Sequence, residues 1–169
     1  MALGALTLVV AACGKSLDRP SVGGRAATTT TSTTDPVDRA AVDGYIDRIV
    51  PGFKPALKAE SGDVSAKEMT QAAGDLNAVA DDLKDPAKRP RGVPANAVDD
   101  LVGALGTMAG SISDLARNLG SCPAGISQPR CSDLYLKVNN GQTSLNTALL
   151  AFSQYGTRKP DAVQALLYS

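Results

Sequence analysis

Apolar residues recur along most of this chain at intervals of three and four, the spacing that lines up one face of an α-helix. The first stripe is Val42, Ile46, Ile49, Phe53 and Leu57. Asp35-Pro36 offers an N-cap and a proline at the first helical position, and Pro51-Gly52 within the stripe predicts a kink or a break. A second stripe runs through Met69, Ala72, Ala73, Leu76, Val79, Ala80 and Leu83. Ser65 and Glu68 are spaced as a capping box, Val64 and Met69 as its hydrophobic staple, and Asp85-Pro86 as its stop.

The third stripe is the most regular: Val98, Leu101, Leu105, Met108, Ile112, Leu115 and Leu119, ended by Gly120. Asn96 is placed to cap it, with Asp99 and Asp100 in the electropositive first turn. Gly103, Gly106 and Gly110 share an adjoining face, where each costs about 1 kcal/mol relative to Ala. Close approach of a neighbouring helix is the expected compensation, and a ligand lying on this face is the alternative. The fourth helix is expected from Ser132-Asp133 to Gly156, burying Leu134, Tyr135, Val138, Leu145, Leu149 and Phe152. Pro160 to Tyr168 reads as a short terminal helix using Val163, Leu166 and Leu167. No segment alternates as strands do, so the expected class is all-α. Four amphipathic helices with short connections fold most simply as an antiparallel up-down four-helix bundle over residues 36–169.

What precedes the bundle has a different character. Residues 2–12 are uncharged and mostly apolar, too few to span a bilayer, and end in Val9-Val10-Ala11-Ala12-Cys13. This stretch resembles the lipobox of bacterial lipoproteins. The resemblance implies that residues 1–12 are a signal peptide removed on export and that the Cys13 thiol receives a diacylglycerol, the modification that labelled palmitate reports. It also places the remainder on the extracytoplasmic face of a cell membrane. No Lys or Arg precedes the apolar run, a departure from the usual signal. From Cys13 to Asp35 follows a linker with Gly23-Gly24 and a Thr-rich run from Thr28 to Thr34, which has nothing to bury in exchange for ordering. As a flexible coil it spans about 25 Å. The run reads as a spacer, with a glycosylated stalk as the alternative.

Export changes the reading of the other two cysteines. In an oxidising compartment Cys122 and Cys131 are expected to form a disulfide, whereas a zinc site would need ligands that a chain without histidine does not place beside them. The 169 residues carry 17 basic and 17 acidic side chains, and none of these lies in residues 1–12. A neutral body argues against nucleic acid, whose binding needs a basic surface. Lys88, Arg89 and Arg91 lie near Asp81, Asp82 and Asp85 and read as self-compensating surface charge without a calcium-loop pattern.

Without histidine, a nucleophile elbow, a phosphate-binding glycine loop or a zinc-protease motif, the sequence gives no sign of catalysis and asks for no cofactor or metal. Binding is the better class. No charge occurs between Lys137 and Arg158, and Asn139, Asn140, Gln142, Thr143 and Asn146 form a neutral polar face on the fourth helix. Such a face loses less solvation under a partner than a charged one, so the expected function is a protein-interaction or structural module of the cell envelope. An ordinary wet helix face is the plain alternative. A second functional class is a carrier holding a lipid or another apolar small ligand between helices, in a cavity lined by Ile49, Phe53, Leu105 and Met108. A haem-binding form of it, similar to the small helical haemophore-like proteins of high-GC bacteria, has only Tyr45, Tyr135, Tyr155 or Tyr168 as ligands.

Overall fold

The computed structural model describes residues 36–59, 61–122 and 129–169. The expected signal peptide, Cys13 and the linker lie outside the described residues, as does the Asp35 cap. Among the described residues the chain is all-helical, with no strand: α1 (Arg39–Lys58), α2 (Ala66–Lys84), α3 (Ala95–Asn118), α4 (Pro129–Ser153) and α5 (Pro160–Tyr168). α2 packs against α1 and α3, α4 against α3 and α1, and α5 against α1 and α4. One core results. Its largest fully buried side chains include Phe53, Phe152, Ile46, Ile49, Met69, Leu76, Leu101 and Ile112.

α1 starts later than its proline suggests. The Asp38 carboxylate accepts from the Ala41 amide at 3.1 Å and fixes the first turn at Arg39. Of the kink or break expected at Pro51, the break does not occur, because α1 continues through Pro51 and Pro55. Each proline removes one backbone donor, but Ile49, Phe53 and Ala56 around them are wholly buried, and that burial holds the segment helical. Gly52 is a packing residue instead of a stop. A Cβ there would lie 2.8 Å from Leu76 Cγ and 3.2 Å from the Ala72 carbonyl, so its absence lets α1 and α2 approach.

The capping box of α2 is formed. The Glu68 amide donates to Ser65 Oγ at 3.2 Å, and the Ser65 amide donates back to the Glu68 carboxylate at 2.8 Å. Val64 and Met69 both belong to the core. Asp85, in extended conformation before Pro86, ends the helix. In the following loop Gly92 takes a φ of 73°, and the Arg91 carbonyl accepts from the Asp38 amide at 2.9 Å. The loop charges reach beyond themselves: Asp82 pairs with Lys88 and also with Arg48 of α1, and Arg89 pairs with Asp99 of α3.

α3 begins at Ala95 behind Pro94, with no side-chain cap, so Asn96 lies inside the helix and Asp99 and Asp100 fall beyond its first turn. Gly103, Gly106 and Gly110 are exposed, and a Cβ on any of them would meet nothing within 4 Å. The close approach expected at these glycines is therefore absent, and α4 comes close to α3 at its own Gly141, where a Cβ would lie 3.0 Å from Met108 Sδ and 3.3 Å from Met108 Cα. α4 starts three residues before the expected Ser132, at Pro129, and gives way after Ser153 to a turn that holds Gly156. Cys131 in its first turn is disulfide-bonded to Cys122, which follows α3, with an S–S distance of 2.06 Å and both residues almost fully buried.

The turn after α4 is fastened to α1 at three successive levels. Arg39 donates to the Gly156 carbonyl at 2.8 Å, the Asp43 carboxylate accepts from the Thr157 amide and hydroxyl, and Asp47 pairs with Arg158. The i, i+4, i+8 positions of one helix thus meet three consecutive residues of the turn. α5 then lays Val163 and Leu167 fully into the core.

Candidate functional site: the neutral face of α4 and the groove beside α3

The five residues of the candidate partner surface do not form one flat patch. Asn139, Gln142 and Asn146 run as a half-buried row along α4, while Asn140 and Thr143 are exposed further round the helix. The hydroxyls of Thr143 and Thr147 donate to the carbonyls one turn back, Asn139 at 3.0 Å and Thr143 at 2.9 Å, and so leave a smooth neutral surface. Asn146 Oδ1 is buried without a hydrogen-bond partner. An acceptor left so costs about 1–3 kcal/mol.

Beyond Thr143 the surface dips into a groove of about 730 Å³ between α3 and α4. Gly103, Ala104 and Thr107 form one side, and Thr143, Ser144, Thr147, Ala148 and Ala151 the other. At one end lie Asp99, Asp100 and Tyr155. The exposed Gly103 therefore opens a depression where a larger side chain would fill it. The sequence marks the Thr143 side of the groove by its lack of charge and Gly103 by its small-residue face, without relating the two. The exposed glycine face was visible, but its place beside Thr143 and Thr147 depends on how the two helices are rotated against each other.

The other candidate residues are placed as follows. Ile49, Phe53, Leu105 and Met108 are each fully buried in the shared core, and none of them lines the α3–α4 groove or the other surface depressions between the helices. The four tyrosines are dispersed. Tyr45 donates to the Lys88 carbonyl at 2.8 Å, and Tyr135 to the Cys122 carbonyl at 3.1 Å. Tyr155 stands at the groove's end and Tyr168 on the last turn of α5.

Electrostatically the fold keeps its displaced carboxyls charged. The Arg158 guanidinium beside Asp47 lowers that carboxyl, hydrogen bonds from Ser65 lower Glu68, and Lys88 with Arg48 lowers Asp82. Burial, aided by the Asp82 charge, raises the Tyr45 hydroxyl. The three carboxyls serve a cap or an ion pair, Tyr45 binds the Lys88 carbonyl, and none of the four lines the groove. Among the described residues no group of three or more Cys, Asp or Glu is placed to hold a metal ion, and no helix is long and apolar enough to cross a membrane. No family model, no curated protein and no solved structure matches this chain.

Proposed function

We propose that this chain is an exported lipoprotein, anchored through Cys13 to the outer face of a cell membrane, whose body is a protein-interaction module of the cell envelope. In this reading residues 1–12 are the signal peptide, residues 13–35 the lipidated cysteine and spacer, and residues 36–169 an antiparallel up-down four-helix bundle to which α5 is added. The partner is a protein, bound on the neutral face of α4 and in the groove beside α3. One observation carries the reading: a groove of about 730 Å³ between two helices, floored by small residues and uncharged along its α4 side. Covering such a surface strips little solvation from either partner, and backbone or small side chains can approach closely.

Two experiments test it. A photo-crosslinking residue at Thr147, in the native host membrane, yields a specific adduct that is absent when the same residue replaces Lys84 on α2. No adduct at Thr147 or at Gln142 overturns the partner surface. Labelled palmitate enters the wild-type chain and not Cys13→Ala, and equal labelling of the two refutes the anchor.

A further inference from the structure

A second site lies away from the α3–α4 groove, where α1 and α5 both end. There a notch of about 390 Å³ is walled by Leu57, Leu167 and Tyr168 and edged by Lys54 and Lys58. The Tyr168 ring, 56% exposed, is held edge-on to Phe53 with centroids 6.2 Å apart, so this apolar wall is fixed and not a loose end. Leu166 beside it is also exposed. Lys54 and Lys58 stand one turn apart on α1, on one face of that helix, and both line the notch.

Lys54 and Lys58 meet at one apolar notch, and neither forms an ion pair among the described residues, as is also true of Lys67, Arg91, Lys137 and Lys159. Arg48, Lys84, Lys88, Arg89, Arg117 and Arg158 each pair with an aspartate. Among the described residues no carboxylate lies within ion-pair distance of Lys54 or Lys58, although Lys54 is only partly exposed. Glu68 feels the charge of Lys58, but its carboxylate is bound to Ser65. The Ser61 hydroxyl donates to the Lys58 carbonyl, so it adds no competing charge.

We propose that this notch binds an anionic amphiphile, with a carboxylate or phosphate oxyanion between Lys54 and Lys58 and an alkyl chain along Leu57, Leu167 and Tyr168. An ammonium without a carboxylate partner gains from a ligand that brings its own anion, and lysine pairs with either oxyanion as a point charge. The apolar wall adds the area term that distinguishes an amphiphile from a free ion. The volume lies at the small end of ligand sites, enough for a head group and part of a chain. The proposal does not rest on the interaction surface of α4, and it locates an apolar ligand on the surface, outside the core of Ile49, Phe53, Leu105 and Met108.

The test titrates the full chain with monomeric octyl phosphate and octanoate, followed by amide NMR shifts. Shifts cluster at Leu57, Ser61, Leu167 and Tyr168. The double variant Lys54→Met, Lys58→Met, its fold checked by circular dichroism, binds at least about tenfold more weakly, while Lys54→Arg, Lys58→Arg keeps most of the affinity. Neutral octyl glucoside and inorganic phosphate leave the notch unshifted. Equal shifts from either of these, or unchanged binding by the methionine variant, overturn the proposal. Vesicles of phosphatidylglycerol then separate the sources: lysine-dependent binding to them assigns the oxyanion to a lipid head group, and binding of the free monomers alone assigns it to a soluble amphiphile. Binding to neither removes the site.

Discussion

The Asp43 carboxylate accepts two hydrogen bonds from Thr157, one from its hydroxyl and one from its amide at 3.2 Å. This contact closes 114 residues of chain and is the middle level of the fastening that holds the α4–α5 turn on α1. Gly156 completes it, since a Cβ at that position would collide with Asp43 Oδ1. Asp43→Ala should therefore cost about 1–2 kcal/mol in denaturant unfolding. Gly156→Ala should lose stability by the same route. In both variants amide exchange should accelerate first in α5, and uniform acceleration over all helices would refute this account.

Glycines on opposite sides of the bundle should respond with opposite sign. Gly52→Ala forces a methyl group into Leu76 and the Ala72 carbonyl, so it should lower the melting temperature. Gly106→Ala and Gly110→Ala meet open space, so each should stabilise by up to about 1 kcal/mol through helix propensity. Thermal melts of the three variants check the contrast.

Reduction tests the bridge between α3 and α4. With Cys122 and Cys131 at a sequence separation of 9, the loop-entropy model puts its contribution at about 2.5 kcal/mol. Cys122→Ser, Cys131→Ser should lower the unfolding midpoint accordingly and should loosen the start of α4 more than its end. A midpoint unchanged by reductant would show that the packing around Leu115 and Leu134 suffices alone.

Acid should unfold the protein through a small set of carboxyls. Asp47, Glu68 and Asp82 are lowered in the folded state by Arg158, Ser65 and Lys88 respectively. Groups lowered on folding contribute stability that is present above their unfolded pKa and is lost as pH falls through the folded value. The melting temperature should thus hold from neutral pH to about pH 4 and fall below it. Asp82→Asn should flatten part of that fall, because its folded and unfolded states then bind protons alike at that site. Lys88, raised chiefly by Asp82, works in the other direction: its share is lost as pH rises through its folded value.

How far the fold could be read from residues alone depended on whether a feature was local. Ser65 and Glu68 lie three residues apart and cap the same turn, and Pro160 opens α5 where its geometry suits a first turn. Both were legible because the interacting groups are neighbours in the chain. Pro51-Gly52 does not break the helix as its residue types suggest, because burial in the core holds α1 helical there, and Leu76, which explains the glycine, is on another helix. The α4 half of the groove showed in its missing charges. Gly103 showed only as one of three glycines on a face, and the lysine-edged notch did not show, since their meaning comes from what α4 and α5 place beside them. Cys13 lies outside the described residues.

The three bare glycines of α3 and its missing side-chain cap carry a consequence for cooperativity. Together the glycines weigh against this helix by roughly 3 kcal/mol, so the segment 95–118 has little tendency to wind up by itself. A peptide of that sequence should be a coil in water. The helix with the most regular apolar stripe is therefore the one most dependent on α2 and α4 for its existence. α3 has no partly folded form to retreat to, so loss of either neighbour should dissolve it outright, and the body should unfold as a single unit.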